Sequence, residues 1–157
     1  MFRIGHSRDI HKLVKGRDLV LGGLSIDYEL GLLGHSDADV LTHTIIESII
    51  GAMGKGDIGT LFPDNDNTYK DISSLELLKE VLELMDKEGY SINNIDSTVY
   101  LELPKLNPLI HDIKESLNHV LKIDIDLINI KATTREELDS VGQGKAIEAE
   151  TIILLSK

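Results

Sequence analysis

The stretch His35-Ser36-Asp37-Ala38-Asp39-Val40 joins a polar turn-forming segment to a long apolar run. Ser36 is a favourable N-cap residue, and Asp39 three positions later completes a variant of the capping box. Gly54 is a favourable helix end. Between these points, apolar side chains recur on one helical face at Val40, Ile45, Ile46, Ile49, Ile50 and Met53. We therefore predict a helix that starts at Ser36 and packs its apolar face on the rest of the domain.

Two histidines and a carboxylate are placed around this helix in a way that suits a metal ion. His43 lies about two turns into the predicted helix, and Asp9-Ile10-His11 precedes it in the chain. If residues 9–11 are extended, the side chains of Asp9 and His11 leave the same face, with roughly 6.6 Å between their Cα atoms. Three such ligands leave a fourth tetrahedral position open, as in catalytic zinc sites. Spacing alone also allows that these histidines are ordinary surface or core residues.

The composition excludes several classes of function. The chain has 157 residues, which predicts one domain over residues 1–157, and it contains no cysteine, so neither disulfides nor thiolate ligands are available. A formal net charge of −11 argues against binding to nucleic acid. Because no long uncharged apolar stretch and no signal-peptide core are present, we expect no membrane association and a soluble, cytoplasmic protein.

The remaining pattern predicts helices packed on a mixed sheet, an α/β or α+β fold. The predicted elements are a hairpin around Gly22-Gly23, a long functional connection over residues 54–72, a helix from Ser73 or Ser74 to Gly89, a strand over residues 95–103, a helix capped by Asn107 with Pro108 at its first position, and strands over residues 127–130 and 146–155. The sequence contains no Walker loop and no G-x-G-x-x-G motif, which argues against these two modes of nucleotide binding.

Several motifs, in order along the chain, carry a resemblance to a known family. They are Gly5-His6-x-x-Asp9-Ile10-His11, Gly31-Leu32-Leu33-Gly34-His35-Ser36-Asp37-x-Asp39-Val40-x-x-His43, Gly56-Asp57-Ile58-Gly59-x-Leu61-Phe62-Pro63-Asp64, Pro104-Lys105 and Lys131-Ala132-Thr133-Thr134. Together they closely resemble the 2-C-methyl-D-erythritol 2,4-cyclodiphosphate synthases. The resemblance implies a single-domain mixed sheet with helices on one side, and a trimeric, chorismate-mutase-like arrangement with sites between subunits.

The resemblance also implies a reaction and its metal ions. The family are phosphorus-oxygen lyases of the non-mevalonate route to isoprenoid precursors, which convert 4-diphosphocytidyl-2-C-methyl-D-erythritol 2-phosphate to the cyclic diphosphate and CMP. By resemblance, Asp9, His11 and His43 hold zinc or another divalent transition metal. Glu136 matches the ligand of a magnesium or manganese ion that binds with the substrate diphosphate. His35 and Thr134 match the catalytic residues that stabilise the transition state.

The resemblance further assigns the substrate-binding residues. Ser36 lies beside the phosphates, the segment from Asp57 to Gly59 holds the erythritol hydroxyls, and Lys105 belongs to the cytidine pocket. The complete implied set is Asp9, His11, His35, Ser36, Asp57, Ile58, Gly59, Phe62, Asp64, Asp66, Leu101, Lys105, Leu106, Ala132, Thr133, Thr134 and Glu136.

The chain departs from the family pattern at a few positions, and two other functions stay open. Ser7 and Arg8 replace a common Gly and aromatic residue, and Leu101 replaces a small one. Residues 139–145 lack the aromatic, Arg and Glu that commonly line the central trimer cavity, so we predict weak or no response to prenyl diphosphates. The alternatives are a zinc-dependent phosphohydrolase with water as its nucleophile, and a trimeric binding protein without turnover.

Overall fold

The computed structural model describes residues 1–62 and 72–157, which form one layer of helices on a mixed sheet. The strands are β1 Phe2–Val14, β2 Leu19–Leu21, β3 Leu24–Ile26, β4 Gly31–Leu32, β5 Ser91–Tyr100, β6 Ile128–Thr133 and β7 Ala146–Ser156. The α-helices are α1 Val40–Met53, α2 Ile58–Leu61, α3 Ser74–Lys87 and α4 Ile110–Leu121, with short 3₁₀ turns at Asn107–Leu109 and Ile125–Leu127.

The main sheet has five strands in the order β4-β1-β7-β5-β6. β5 and β6 are parallel, with Ile95 opposite Ile128, and the other neighbours are antiparallel. Parallel strands end at the same edge of a sheet, so the segments that follow β5 and β6 lie side by side. Strands β2 and β3 form the predicted hairpin separately.

Helix α1 is central to the core, and eleven of its fourteen residues are buried. It packs on β1 and β7 on one side and on α3 on the other. Gly5 makes the approach to β1 possible, because a Cβ atom there would lie 1.8 Å from the carbonyl oxygen of Ser48. A helix buried on most sides needs few polar residues, and its buried Thr44 and Ser48 both bond to Thr151 of β7.

Among the described residues, no helix covers the opposite face of the sheet. Alternate residues of β1 and β7 point to this face and leave large apolar side chains exposed: Phe2 at 71%, Ile4 at 72%, Ile10 at 50% and Ile152 at 48%. We call these four residues the open-face patch. Phe2, Ile4 and Ile152 are neighbours on this face, whereas His6 and Arg8 separate Ile10 from them. Large exposed apolar side chains of this kind are typical of an interface between proteins. Within the described part of the chain, every helix is too short or too polar to cross a membrane.

The predicted start of the first helix is wrong. Its N-cap is Asp39, whose side chain accepts a hydrogen bond from the Thr42 amide, rather than Ser36. Ala38 between them has φ of 58°, so the backbone turns out of helical geometry before the helix begins. The Ser36 hydroxyl instead accepts from the Ala38 amide.

Other boundaries also differ from the sequence prediction. Asn107 is not a cap: the 3₁₀ turn that starts there has Leu106 at its N-cap without a side-chain bond, so Pro108 lies at the second position of the turn rather than the first. β5 spans Ser91–Tyr100 rather than residues 95–103, and the 54–72 connection contains α2. Of the two predicted caps of α3, Ser73 is the one observed, and the prediction of a long final strand is confirmed.

Candidate metal and phosphate site

Asp9, His11 and His43 come together at the helix-covered face of the sheet. Asp9 and His11 are two residues apart on β1, so their side chains share a face, and α1 brings His43 over them. The Nε2 atom of His11 lies 2.9 Å from Asp9 Oδ2, and the Nδ1 atom of His43 lies 3.5 Å from it. All three candidate ligand atoms lie within 4.8 Å of one another, the single such cluster among the described residues.

The ring of His11 is fixed so that its Nε2 faces Asp9. Its Nδ1 lies 2.7 Å from the Leu33 carbonyl oxygen, which can only accept, so Nδ1 carries a proton and donates. Gly34 leaves room for this ring, because a Cβ atom there would lie 3.0 Å from His11 Cε1. If the ring is neutral, its Nε2 lone pair points at the Asp9 carboxylate. Because a lone pair and a carboxylate repel each other, this arrangement needs a proton or a metal ion between them.

The electrostatics of the cluster agree with a cation site. Burial acts to raise the pKa of Asp9, but the neighbouring rings of His11 and His43 outweigh burial and hold it well below its usual range. Burial lowers the pKa of His11, yet the bonds to Asp9 and the Leu33 carbonyl outweigh burial, and the pKa is raised overall. The Asp9 carboxylate is therefore charged. Together with the ring of His11, it favours a positive charge at this position, either a proton or a metal ion.

The three side chains fit a zinc ion. Zinc bonds of about 2.0–2.2 Å in tetrahedral geometry place two ligand atoms about 3.3 Å apart, close to the 2.9 and 3.5 Å seen here. One carboxylate and two imidazoles also suit zinc chemically. The residues present thus fit the metal that the sequence predicts.

A cavity of about 470 Å³ surrounds the cluster and contains many of the predicted site residues. His35, Ser36, Ile58, Gly59 and Phe62 line it beside the three metal-ligand candidates. The Nε2 atom of His35 is buried without a hydrogen-bond partner among the described residues. Buried polar atoms are normally paired, so this nitrogen points to a ligand in the cavity.

Asp57 is the N-cap of α2 and does not line the cavity itself, although the next residues, Ile58 and Gly59, do. Its carboxylate accepts from the amide and hydroxyl of Thr60, at 2.8 and 2.7 Å, and these bonds lower its pKa. The neighbouring Ile58 amide donates to Glu47 on α1 at 2.7 Å. Asp64 and Asp66 lie outside the described residues.

A second group of predicted residues lies at the common edge where β5 and β6 end, and none of it lines the cavity. This group is Leu101, Lys105, Leu106, Ala132, Thr133, Thr134 and Glu136. The Leu101 amide donates to the Thr133 carbonyl at 3.0 Å, which joins the two strand ends. Lys105, Thr133 and Glu136 are exposed, whereas the Leu101 and Leu106 side chains are buried in the core.

The loop after β6 is held in an unusual backbone conformation. Glu136, Glu137 and Asp139 have φ values of 53°, 61° and 45°, a region that residues other than glycine rarely adopt. The Glu136 amide donates to the Thr134 hydroxyl oxygen at 3.4 Å. Strained residues of this kind cluster at functional sites, and the strain presents Glu136 to solvent.

Sequence reasoning missed three polar residues that support the site. Glu47 and Ser74 both approach the metal cluster, and Ser74 Oγ lies 2.9 Å from His43 Nε2. Glu148, only 3% exposed, accepts from Arg8 beside Asp9 and from Arg135 beside Thr134, the latter at 3.0 Å. The i, i+4 spacing of His43 and Glu47 on the helix was a usable signal for Glu47. Contacts between distant segments carry no such signal.

Comparison with known proteins agrees with this arrangement. The YgbB family matches residues 2–156. The 2-C-methyl-D-erythritol 2,4-cyclodiphosphate synthase of Clostridium acetobutylicum is 60% identical over 153 residues, covering 98% of this chain and 99% of that protein.

Solved structures show the same fold. IspF of Plasmodium falciparum, solved as a CDP complex, is 39% identical with a TM-score of 0.86, covering 98% of this chain and 95% of that one. A 2C-methyl-D-erythritol-2,4-cyclodiphosphate synthase in its CDP-bound form is 33% identical with a TM-score of 0.90, covering 98% and 100%. The chain therefore belongs to the YgbB family, and close relatives of it are 2-C-methyl-D-erythritol 2,4-cyclodiphosphate synthases.

Proposed function

We propose that this chain converts 4-diphosphocytidyl-2-C-methyl-D-erythritol 2-phosphate to 2-C-methyl-D-erythritol 2,4-cyclodiphosphate and CMP. The observation that carries the proposal is the convergence of Asp9, His11 and His43 in a cavity that also holds His35 and Ser36, in a chain that matches the family from residue 2 to residue 156. The reaction belongs to the methylerythritol phosphate route to isoprenoid precursors, and we expect it to take place in the cytoplasm.

The reaction is an intramolecular displacement at phosphorus. An oxygen of the substrate's own 2-phosphate forms a bond to the β-phosphorus of the diphosphate. The bond from that phosphorus to the bridging oxygen breaks, and CMP leaves with this oxygen and its electron pair. Two anionic groups must approach each other, so the protein's main tasks are to hold them together and to offset their charge.

Asp9, His11 and His43 would hold zinc, or another divalent transition metal, at the diphosphate. Glu136 would contribute to a magnesium or manganese site that forms with the substrate, since carboxylate and phosphate oxygens suit these hard cations. Bound divalent ions supply Lewis-acid stabilisation of phosphoryl oxygens. They would also offset the protein's net charge of −11 where the anionic substrate binds.

His35 and Thr134 are the proposed catalytic residues. The buried, unpaired Nε2 of His35 is suited to donate a hydrogen bond to a phosphoryl oxygen in the cavity. The Thr134 hydroxyl accepts from the Glu136 amide, so its own proton can be donated to a phosphate. Ser36 would contact the phosphates from the cavity wall.

The rest of the substrate would divide between the two groups of residues. Asp57, already charged and exposed, is suited to accept hydrogen bonds from the erythritol hydroxyls, with Ile58, Gly59 and Phe62 beside it. Lys105 and the strand-end segments would bind the cytidine part, where the buried Leu101 and Leu106 offer their backbone. Asp64 and Asp66 are proposed substrate contacts by resemblance alone.

We propose that the active form is a homotrimer with sites between subunits. The open-face patch gives each chain an apolar surface to bury, and the metal cavity lacks the cytidine-binding residues of its own chain. Two neighbours in a closed ring could each supply one half of a site.

Phosphorus NMR of the product tests the proposal. The purified protein is incubated with the substrate and magnesium, beside a His43→Ala variant. We expect cyclic diphosphate signals and CMP from the wild type and neither from the variant. A linear phosphate product would indicate the hydrolase instead. Unchanged substrate with a zinc-loaded trimer would indicate a binding protein without turnover.

A further inference from the structure

Ser74 and Asp37 form a hydrogen-bonded chain behind the candidate metal ligand His43. Ser74 is the first residue of α3 and is fully buried, at 0% exposure. Its hydroxyl lies 2.9 Å from His43 Nε2, on the opposite side of the ring from the nitrogen that faces Asp9. The same hydroxyl contacts Asp37 Oδ1, and Asp37 Oδ2 accepts the Ser74 amide at 2.9 Å.

The charge of Asp37 decides which way these hydrogen bonds run. An ionised carboxylate only accepts, so the single hydroxyl proton of Ser74 donates to Asp37. The Ser74 oxygen then offers a lone pair to His43, and Nε2 must carry a proton and donate. A neutral imidazole has one donor and one acceptor. His43 therefore keeps a lone pair on Nδ1, the atom 3.5 Å from Asp9.

The neighbouring contacts are compatible with this arrangement. Ser36 Oγ lies 3.0 Å from the same His43 nitrogen and accepts from the Ala38 amide. The Ser36 oxygen has two lone pairs, so it can accept from the Ala38 amide and also from His43 Nε2, whose one proton is then shared between the Ser36 and Ser74 oxygens. Helix capping does not require Ser74, because Ser73 is the N-cap of α3 and accepts from the Leu75 amide.

We propose that Ser74 and Asp37 are positioning residues that hold His43 as the Nε2-protonated tautomer and so raise the affinity of the site for zinc. The inference rests on the metal site of the proposed function. Partners behind a metal-bound histidine typically change metal affinity about 10–100-fold. The chain also ties α3 to the segment before α1, so the metal ligand is fixed by two helices.

The test compares zinc affinity in Ser74→Ala, Ser74→Thr and the adjacent control Ser73→Ala, by competition with a chelator and without substrate. We expect Ser74→Ala to bind zinc about 10-fold or more weakly. Ser74→Thr keeps a hydroxyl and should bind within about 3-fold of the wild type. Ser73→Ala should lose helix stability but keep its zinc affinity, because its side chain caps α3 rather than contacting His43.

Nitrogen-15 NMR of the zinc-free protein measures the tautomer of the His43 ring. This tautomer should not change if Ser74 only stabilises the fold. The wild type should show the Nε2-protonated tautomer, and Ser74→Ala should show a larger share of the other one. If Ser74→Ala does not fold, Asp37→Asn removes the charge that orders the chain and should weaken zinc binding in the same direction. Wild-type affinity and tautomer in every folded variant would overturn the inference.

Failure of the inference is distinguishable from failure of the proposed reaction. Weaker zinc binding by Ser74→Ala in a protein that does not turn over the substrate would uphold the inference and reject the reaction. A wild-type protein that binds no zinc would overturn the metal site and this inference together.

Discussion

The metal half and the nucleotide half of the proposed site are built in opposite ways. The metal half contains Asp9, His11 and His43, which are partly buried, and its two histidines are held by hydrogen bonds from two separate segments of the chain, one with Leu33 and Ser36 and the other with Ser74. The nucleotide half, around Lys105 and Glu136, is exposed at the edge where two parallel strands end. One half is thus assembled within one chain, whereas the other exposes polar groups that, in the proposed trimer, would meet a neighbour's cavity.

The difference shows that the metal half holds its side chains in fixed positions, whereas the nucleotide half places its side chains on exposed loops. A metal site needs ligand atoms fixed to within a fraction of an ångström, so it is built on a strand and a helix. A nucleotide can be bound by residues on exposed loops, provided that a rigid scaffold positions these loops. Substitutions in the two halves should therefore have different effects on zinc content, turnover and stability.

Removing a metal ligand should have the largest effect. His43→Ala leaves two ligands, so we expect zinc to be lost and kcat to fall roughly 1,000-fold or more, since metal ions supply several kcal/mol of transition-state stabilisation. Bound zinc is measured by mass spectrometry and turnover by release of CMP. The control is His111→Ala, an exposed histidine on α4. A His43→Ala protein with normal turnover would show that the metal half is not used.

Changing the nucleotide half should reduce turnover and leave zinc in place. Glu136→Gln keeps the size of the side chain and removes its charge, so we expect kcat/KM to fall about 100-fold through weaker magnesium binding at the substrate. The matched control is Glu137→Gln at the next position, which shares the left-handed backbone. Equal losses in both variants would mean that the loop conformation matters and the Glu136 carboxylate does not.

Glu148 pairs with Arg8 beside the metal half and with Arg135 beside the nucleotide half, and removal of this network should destabilise the chain. Glu148→Ala leaves the guanidinium groups of Arg8 and Arg135 without their shared carboxylate, and removal of one buried partner is costly. We expect the free energy of unfolding in urea to fall by about 2 kcal/mol, which allows for the partial exposure of both arginines. Glu83→Ala, an exposed carboxylate on α3, should change it by less than about 0.5 kcal/mol. A similar small change for Glu148→Ala would mean that the network contributes no net stability.

The contact from Glu47 should give the smallest effect, confined to substrate affinity. Glu47→Ala removes the acceptor for the Ile58 amide and loosens the Asp57 segment, so we expect KM to rise about 5-fold with zinc content unchanged. Glu47→Gln keeps an accepting oxygen and should stay near the wild-type KM. A Gln variant as impaired as the Ala variant would show that the charge, rather than the hydrogen bond, is what matters.

Local pattern allowed much of the metal half to be predicted. The i, i+2 spacing of Asp9 and His11, together with a histidine on an apolar helix, suggested the three ligands, and the family resemblance then assigned them. Strand β1 itself was not recognised over its 13 residues, because its open face alternates apolar side chains with His6 and Arg8 rather than showing a simple strand pattern.

The missed residues share a physical reason. Ser74 meets His43 across 31 positions, and Glu148 meets Arg8 across 140, so neither contact has a sequence period. The Ser36 cap was wrong because a competing cap lay three residues on. Asp39 bonds its own helix at Thr42 and also accepts from the amides of Gly22 and Gly23, and this tertiary contact decides between two locally reasonable starts.

A subunit-mixing experiment tests most directly whether the two halves of a site come from different chains. His43→Ala and Glu136→Gln proteins, each nearly inactive, are unfolded together in equal amounts and refolded, and mixed trimers are counted by native mass spectrometry. In a closed ring, each mixed trimer has one interface with both halves intact, so random mixing should recover about a quarter of the wild-type activity. Mixed trimers with no more activity than the separate variants would contradict the account.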